Sequence, residues 1–280
     1  MSAAPGRPKQ ARSGAGGEGT PMNAHALQTQ DLGISFGAFQ AVANVNLTLE
    51  PGARQALIGP NGAGKTTLIN LLTGVYRPTT GSVRLGGQDI TAATCDQRAR
   101  MGLVRTFQIN TLFPNLTPLL SVVLAISERE GLGATWWRPL KRCTHVFDEA
   151  HELLARLRLD DLANVPVAQL AYGKQRLLEI ALALAARPRI LLLDEPAAGV
   201  PEDESGELFE VIAELPQDIS VLFIEHDMNL VFRFSRRISV LVAGRILTEG
   251  TPADIGHDPR VREVYLGSKH IGTHAEATHA

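Results

Sequence analysis

The sequence predicts an α/β protein built on a mainly parallel β-sheet that helices cover on both faces. A short apolar strand at residues 55–58 leads into a glycine-rich loop at 59–66, and a helix follows at 66–72. Two further apolar strands, at 190–193 and 220–224, alternate with helical segments. Strands that are apolar on both faces and alternate with helices are typical of a parallel sheet buried between helical layers.

The other elements of this core follow from hydrophobic periodicity. Apolar and polar residues alternate at 27–34 and 42–49, which is the period of half-buried strands, and residues 82–85 form a further short strand. Residues 174–185 are rich in Leu and Ala and predict a helix. A helix is also predicted at 202–215, where acidic residues in the first turn suit the helix dipole.

The middle of the chain has a different character. Residues 114–126 and 146–159 show helical spacing, so we predict a helical subdomain at about 108–170, inserted in the α/β core. Trp136 and Trp137 lie between these helices and either contact a partner or pack under a loop. The chain contains no internal repeat, so we expect one α/β unit rather than two.

The composition is that of an ordinary globular protein, with 280 residues, 44% hydrophobic residues and a net charge of −2. Such a charge creates no global field that would attract nucleic acid. The two cysteines, Cys95 and Cys143, predict reduced thiols in a cytosolic protein rather than a disulfide framework. No apolar run reaches the ~18 residues that span a bilayer.

We expect one ordered domain, residues 25–268, between two tails. Residues 1–24 combine Gly, Ala and Pro with scattered Lys and Arg, which predicts a disordered tail rather than a secretory signal. Residues 269–280 are similar, and a solvated tail is favoured over a metal site for their three histidines.

The glycine-rich loop matches the phosphate-binding pattern G-x-x-x-x-G-K-[ST], in the strand–loop–helix context that the pattern requires. Its glycines let backbone N–H groups turn toward phosphate oxygens, and the following helix adds the positive end of its dipole. Lys65 places a cation at the β- and γ-phosphates, and Thr66 offers a hydroxyl to Mg²⁺. The loop therefore predicts ATP and Mg²⁺ as cofactors. The predicted nucleotide-binding residues here are Gly59, Pro60, Asn61, Gly62, Ala63, Gly64, Lys65, Thr66 and Thr67.

An acidic pair follows the apolar strand at 190–193. Asp194 is predicted to hold Mg²⁺ directly or through water, and Glu195 to orient or deprotonate the attacking water. Alone, such a pair is usually the start of a solvated loop. Beside a phosphate-binding loop it is the expected metal and base site.

Together with four more landmarks, these residues resemble the ATPase subunits of ABC (ATP-binding cassette) transporters over residues 26–267. Leu170-Ala171-Tyr172-Gly173-Lys174-Gln175 is similar to the signature sequence of that family. Gln108 is similar to the glutamine of its Q-loop, and His226 to its switch histidine. Phe36 is placed like the aromatic residue that stacks on adenine in the family.

The resemblance implies a P-loop NTPase core with a mainly parallel sheet, an N-terminal antiparallel β subdomain and the inserted helical subdomain. It also implies a mechanism in which two cassettes face each other head to tail, so that residues 171–175 of one chain cover ATP on the other. Glu195 would then activate water, and His226 would contact the γ-phosphate. Gln108 would bind and sense the metal, and would move the helical subdomain.

Finer similarity points to importers of branched-chain amino acids. It is carried by residues 104–108, 112–117 and 195–199, and by 250–252 followed by 261–266. Importers of urea and short amides use closely related ATPases, so the solute is implied only as a class.

The resemblance further implies separate integral membrane permease subunits, a second ATPase subunit in a homodimer or heterodimer, and indirectly a solute-binding protein, with no nucleic acid. The implied location is peripheral, on the cytoplasmic face of the plasma (inner) membrane.

Two positions depart from the family pattern. Ala171 replaces the signature serine, whose hydroxyl bonds the partner-bound γ-phosphate in the family. We expect this loss to cost about 0.5–1.5 kcal/mol and to slow turnover rather than abolish it. Pro201 stands where the D-loop usually carries Asp or Asn, which removes a cross-dimer contact. A low-activity regulatory cassette in a heterodimer therefore stays open, as do an exporter subunit and a soluble ABC ATPase that acts on ribosomes or DNA.

Overall fold

The structure, a computed structural model, describes residues 26–106, 112–132 and 144–266. The two predicted tails, Gln108, the tryptophan pair and Cys143 lie outside these residues. The strands are β1 (Leu27–Phe36), β2 (Phe39–Val45), β3 (Thr48–Leu49), β4 (Arg54–Ile58), β5 (Thr80–Leu85), β6 (Gln88–Asp89), β7 (Leu103–Arg105), β8 (Ile190–Asp194), β9 (Ser220–Ile224), β10 (Arg237–Val242) and β11 (Arg245–Gly250). The helices are α1 (Lys65–Thr73), α2 (Cys95–Arg100), α3 (Pro118–Arg129), α4 (Thr144–Arg156), α5 (Tyr172–Ala185), α6 (Glu202–Glu214), α7 (Met228–Phe234), α8 (Pro252–His257) and α9 (Pro259–Leu266).

The larger sheet has the strand order β11-β10-β4-β9-β8-β7. All neighbouring pairs in it are parallel except β10 and β11 at the edge. This arrangement confirms the predicted α/β fold with a mainly parallel sheet. It also brings the carboxyl ends of β4, β7, β8 and β9 to one edge, where open α/β sheets bind their ligands.

The smaller sheet is antiparallel, with the order β2-β1-β5-β6 and with β3 also paired to β1. It confirms the antiparallel N-terminal part, but the single strand predicted at 42–49 is wrong. Asn44 adopts a positive φ of 51°, and the Asn46 side chain accepts the N–H of Asp31 at 2.8 Å. Because Asn46 turns into this contact, pairing with β1 is interrupted after β2 and resumes on the same strand as β3.

Two hydrophobic clusters form the core, and the strands of the parallel sheet contribute alternate residues to each. Leu191 and Leu193 of β8 belong to the larger cluster with α4, α5 and α6. Ile190 and Leu192 belong to the smaller one with α1 and the antiparallel sheet. Since successive side chains of a strand point to opposite faces, the parallel sheet is buried on both of them, as its composition predicted.

The helices of the middle region begin later or earlier than predicted. The helix predicted at 114–126 is α3, which begins at Pro118 because the Thr117 side chain caps it by accepting the Leu120 N–H at 3.3 Å. The helix predicted at 146–159 is α4, and the one predicted at 174–185 begins two residues earlier as α5.

No helix among the described residues is long and apolar enough to cross a membrane.

Charge-assisted hydrogen bonds join α3, α4 and the end of α5. Arg129 donates to both carboxylate oxygens of Glu149, at 2.6 and 2.8 Å, and to the Ala185 carbonyl at 2.8 Å. Arg187 contacts the same carboxylate at 2.9 Å. The hydrogen bonds from Arg129, with support from Arg187, lower the pKa of Glu149 to about 2 against the opposing effect of burial. These bonds tie the helices of the middle region to the core.

Candidate nucleotide-binding and catalytic site

The glycine-rich loop connects β4 to α1 at the carboxyl edge of the parallel sheet. Gly64 has a φ of +99° directly before α1, and a Cβ there would lie 2.7 Å from the Ala41 carbonyl oxygen. The close approach of β2 therefore requires glycine at this position. As a result, the N-terminus of α1 opens on the loop, in the arrangement that binds phosphate.

Lys65 is the buried cation of this loop. Its Nζ donates to the carbonyl oxygens of Gly59 at 2.7 Å and Pro60 at 3.1 Å. Burial lowers the pKa of Lys65, while the nearby charges of Glu195 and Asp194 raise it. An incoming phosphate can replace the two carbonyls as acceptors, so the ammonium is already placed for this exchange.

A cavity of about 240 Å³ lies over the loop. Its lining residues are Phe39, Ala41, Asn61, Gly62, Ala63, Gly64, Lys65, Thr66, Thr67, Glu195 and His226. Phe39 is 67% exposed and was missed by sequence reasoning, although it is a second aromatic residue on the hairpin of Phe36. Phe36 packs edge-on against Tyr76, with ring centroids 5.5 Å apart, and is not among the described lining residues.

The predicted acid and the predicted histidine meet at this cavity. Glu195 follows β8 and His226 follows β9, and their Oε1 and Nε2 atoms are 2.6 Å apart. Glu195 has a positive φ of 50°, which costs about 1–2 kcal/mol for a residue with a side chain. This conformation directs its carboxylate toward His226 beside the phosphate-binding loop.

Glu225 supports this pair and was not predicted. Its carboxylate accepts the N–H of Ala197 at 2.8 Å and the N–H of His226 at 3.0 Å. Burial raises the pKa of Glu225, and these hydrogen bonds oppose the shift. One buried side chain thus fixes the turn after Glu195 relative to the backbone of His226.

Asp194 ends β8 as a buried carboxylate. Arg105, at the end of the adjacent strand β7, contacts it at 2.5 Å and donates to the Asn70 side chain at 2.8 Å. In the sequence, Arg105 is distinguished only as part of the importer-like segment 104–108. The structure gives it a direct partner in the predicted metal site.

The predicted signature residues lie apart from the loop cavity. Ala171 precedes α5 as its N-cap without a side-chain hydrogen bond, and Tyr172 begins the helix. Lys174 forms a 2.8 Å ion pair with Glu207, and Gln175 donates to the Leu170 carbonyl at 3.0 Å. None of residues 171–175 lines the described cavity over the loop, so this chain does not cover its own phosphate site with them.

The C-terminal helix α9 reaches the phosphate-binding loop through Tyr265. The Gly59 N–H donates to the Tyr265 hydroxyl, and the ring packs against the larger hydrophobic cluster. Burial raises the pKa of Tyr265 to about 12, so the hydroxyl stays protonated at neutral pH. Gly59 is therefore held by α9 through its N–H and by Lys65 through its carbonyl.

Replacing Tyr265→Phe is expected to destabilise the fold by about 1–3 kcal/mol, because a buried N–H of Gly59 loses its acceptor. The free energy of unfolding in denaturant measures the loss. Tyr76→Phe is the matched control, since Tyr76 is 36% exposed and uses its ring against Phe36. Equal stability of the two variants would show that the Tyr265 hydroxyl does not support the loop.

The phosphate-binding loop, the acidic strand end and the following histidine define a nucleotide-hydrolysing cassette. The family model described as ABC transporter matches residues 42–198, and the chain belongs to this family as one of its ATPases. A second model, described as branched-chain amino acid ATP-binding cassette transporter, matches residues 245–271.

Named relatives and solved structures agree with this assignment. The chain is 44% identical to the high-affinity branched-chain amino acid transport ATP-binding protein LivG of Escherichia coli (strain K12), over 88% of this chain and 99% of LivG. It is 41% identical to the corresponding protein BraF of Pseudomonas aeruginosa, with the same coverage of both chains. The ADP conformation of MJ1267, an ATP-binding cassette of an ABC transporter, superposes with a TM-score of 0.77, 30% identity and coverage of 87% and 99%. The dimeric structure of the bacterial cassette MJ0796 gives a TM-score of 0.66, 25% identity and coverage of 81% and 98%.

Proposed function

We propose that this chain hydrolyses ATP to drive an importer of branched-chain or related amino acids through a separate permease. The observation that carries the hydrolytic part is the 2.6 Å contact between Glu195 and His226 beside the phosphate-binding loop. The solute class rests on LivG and BraF, whose names state branched-chain amino acid transport.

In the proposed reaction, the loop and the N-terminus of α1 bind the phosphates, and Lys65 neutralises part of their charge. Glu195 accepts the proton of the attacking water, and His226 holds the Glu195 carboxylate and contacts the γ-phosphate. Phe36 and Phe39 supply aromatic surface on the β1–β2 hairpin against which the adenine ring of ATP can stack. Gln108, outside the described residues, keeps its proposed role as the metal-sensing residue.

Thr66 and Asp194 are the proposed ligands of Mg²⁺. Both offer oxygen atoms, and Mg²⁺ in such sites takes one or two protein oxygens together with phosphate and water. Among the described residues, no group of three or more His, Cys, Asp and Glu is placed to hold a metal alone. When bound, the metal neutralises phosphate charge. Asp194 is paired with Arg105, so a ligand role requires this ion pair to loosen or a water to intervene.

The second half of the proposed site comes from a partner ATPase. Residues 171–175 lie outside the loop cavity, and the related cassette MJ0796 has a dimeric structure. We therefore propose a closed dimer in which residues 171–175 of one chain cover the nucleotide of the other. Ala171 and Pro201 weaken this closure, and they suit a heterodimer as well as a homodimer.

An apolar surface on the middle region is the proposed permease contact. Leu120 and Leu124 lie one helical turn apart on α3, and Phe113 precedes this helix; all three side chains are exposed. Contiguous exposed apolar patches mark interaction surfaces, and we propose that these three side chains belong to one. A permease bound here would place the chain at the membrane as a peripheral subunit.

Solute uptake by the assembled transporter tests this proposal. Liposomes containing the permease, this chain and its partner ATPase are supplied with the binding protein and ATP, and the uptake of labelled leucine, valine and urea is measured. We expect ATP-dependent uptake of leucine and valine, and none with Glu195→Gln in this chain. Uptake of urea alone would show that the transporter carries urea or short amides and not branched-chain amino acids. Unchanged uptake with Glu195→Gln would identify this chain as a regulatory cassette.

A further inference from the structure

The first turn of α5 is bound by a carboxylate of the same chain. Glu204, in the first turn of α6, accepts the N–H of Gly173 at 2.9 Å. Ala171 provides no side-chain cap to α5, so Glu204 supplies from another helix the acceptor that this helix end lacks. Glu204 is half-buried in this contact.

The fit of Glu204 against α5 is close. A Cβ at position 173 would lie 2.5 Å from the bonded carboxylate oxygen, so the contact requires glycine there. One turn further along α6, Glu207 pairs with Lys174 at 2.8 Å. Two acidic side chains of α6, Glu204 and Glu207, therefore lie against the first turn of α5.

We propose that Glu204 is a positioning residue of the ATPase cycle, whose carboxylate occupies the Gly173 amide in the free chain and leaves it when the partner's nucleotide arrives. This inference rests on the closed dimer of the proposed function. A carboxylate and a phosphate are both anions that bind amides at a helix N-terminus, so they compete for the Gly173 N–H and repel each other there.

The first turns of α5 also contact the segment that follows Glu195. Residues 195–201 connect Glu195 to the start of α6. The same turn contacts α5 at two further points: Arg176 donates to the Ala198 carbonyl at 3.2 Å, and a Cβ at Gly199 would lie 3.2 Å from the Tyr172 ring. The helix end where the partner's phosphate would bind therefore packs against the segment that follows the catalytic acid of the same chain.

The test compares the full-length chain with Glu195→Gln, alone and combined with Glu204→Gln, over a range of ATP concentrations. Sedimentation velocity gives the ATP concentration at half-maximal dimerisation. We expect Glu204→Gln to lower it about three- to tenfold, since the neutral amide competes less for the Gly173 N–H. Asp203→Asn is the matched control, because it removes the same charge from an exposed neighbour in the same turn and should leave this concentration unchanged.

A second measurement separates positioning from a structural role. In the background with Glu195 intact, Glu204→Gln is expected to lower the KM for ATP by the same factor with kcat within about twofold, because it acts on closure. Glu204→Asp, whose shorter side chain withdraws the carboxylate from the Gly173 N–H, should shift the KM in the same direction.

The outcomes are distinct. An unchanged or higher half-maximal ATP concentration for Glu204→Gln, while the parent dimerises with ATP, overturns the role of Glu204 and leaves the proposed function standing. A parent that stays monomeric at all ATP concentrations refutes the closed dimer, and with it the inference. Equal shifts for Glu204→Gln and Asp203→Asn would reduce the effect to general electrostatics and refute the specific contact.

Discussion

Replacing Glu195→Gln is expected to reduce ATP hydrolysis by about 10³-fold while ATP still binds, since positioned proton transfer contributes ~10²–10⁴-fold to a rate. The amide cannot accept the proton of the attacking water. It can keep a hydrogen bond to His226, whose Nε2 lies 2.6 Å from Oε1 of Glu195. ATP should still bind because Lys65, whose Nζ donates to carbonyl oxygens of the phosphate-binding loop, is not changed by this substitution.

Phosphate release at saturating ATP gives the rate, and fluorescence titration with a labelled ATP gives the affinity. Glu202→Gln is a suitable control because it neutralises an exposed acid in the segment that follows Glu195. We expect it to hydrolyse ATP at the parent rate. Hydrolysis by Glu195→Gln within tenfold of the parent would remove Glu195 from the role of base.

The second large effect is expected for Lys65→Met. This change removes the buried ammonium and keeps most of its volume, so ATP should bind about 100-fold more weakly, which corresponds to ~3 kcal/mol lost from charge-assisted hydrogen bonds to phosphate. Hydrolysis should fall at least as far. Titration with a fluorescent nucleotide measures the affinity, and thermal unfolding without nucleotide checks that the fold is retained.

Arg77→Met provides the comparison for Lys65→Met. Arg77 is an exposed cation shortly after α1, so its removal changes the net charge equally but touches no loop carbonyl. Its nucleotide affinity should stay within about twofold of the parent. Equal losses of affinity in the two variants would mean that Lys65 acts through general charge and not through contact with phosphate.

Sequence reasoning was most successful where function depends on neighbours in the chain. A phosphate-binding loop needs glycines, a lysine and a helix start within a few residues, and the structure places these residues around one cavity. Strand boundaries were harder to predict. The segment at 42–49 alternates like one strand, yet Asn46 bonds Asp31, which lies 15 residues earlier and is unrelated to the local pattern.

The supporting residues of the site were missed because their partners are distant in sequence. Arg105 and Asp194 are 89 residues apart, and they meet because β7 and β8 are adjacent in the sheet. Tyr265 contacts Gly59 only because α9 returns to the loop. Hydrophobic periodicity assigns a residue to a helix or strand, but it does not state which element lies beside it.

The sequence by itself therefore determined the α/β class, the phosphate-binding loop and the chemical character of Asp194, Glu195 and His226. Only the tertiary structure decided which groups touch: Glu195 with His226, and Glu204 with the Gly173 amide, each pair separated by 31 residues. The physical reason is that the strand order of the sheet and the packing of its helices set these distances. Local propensity, which acts over a few residues, does not contain this information.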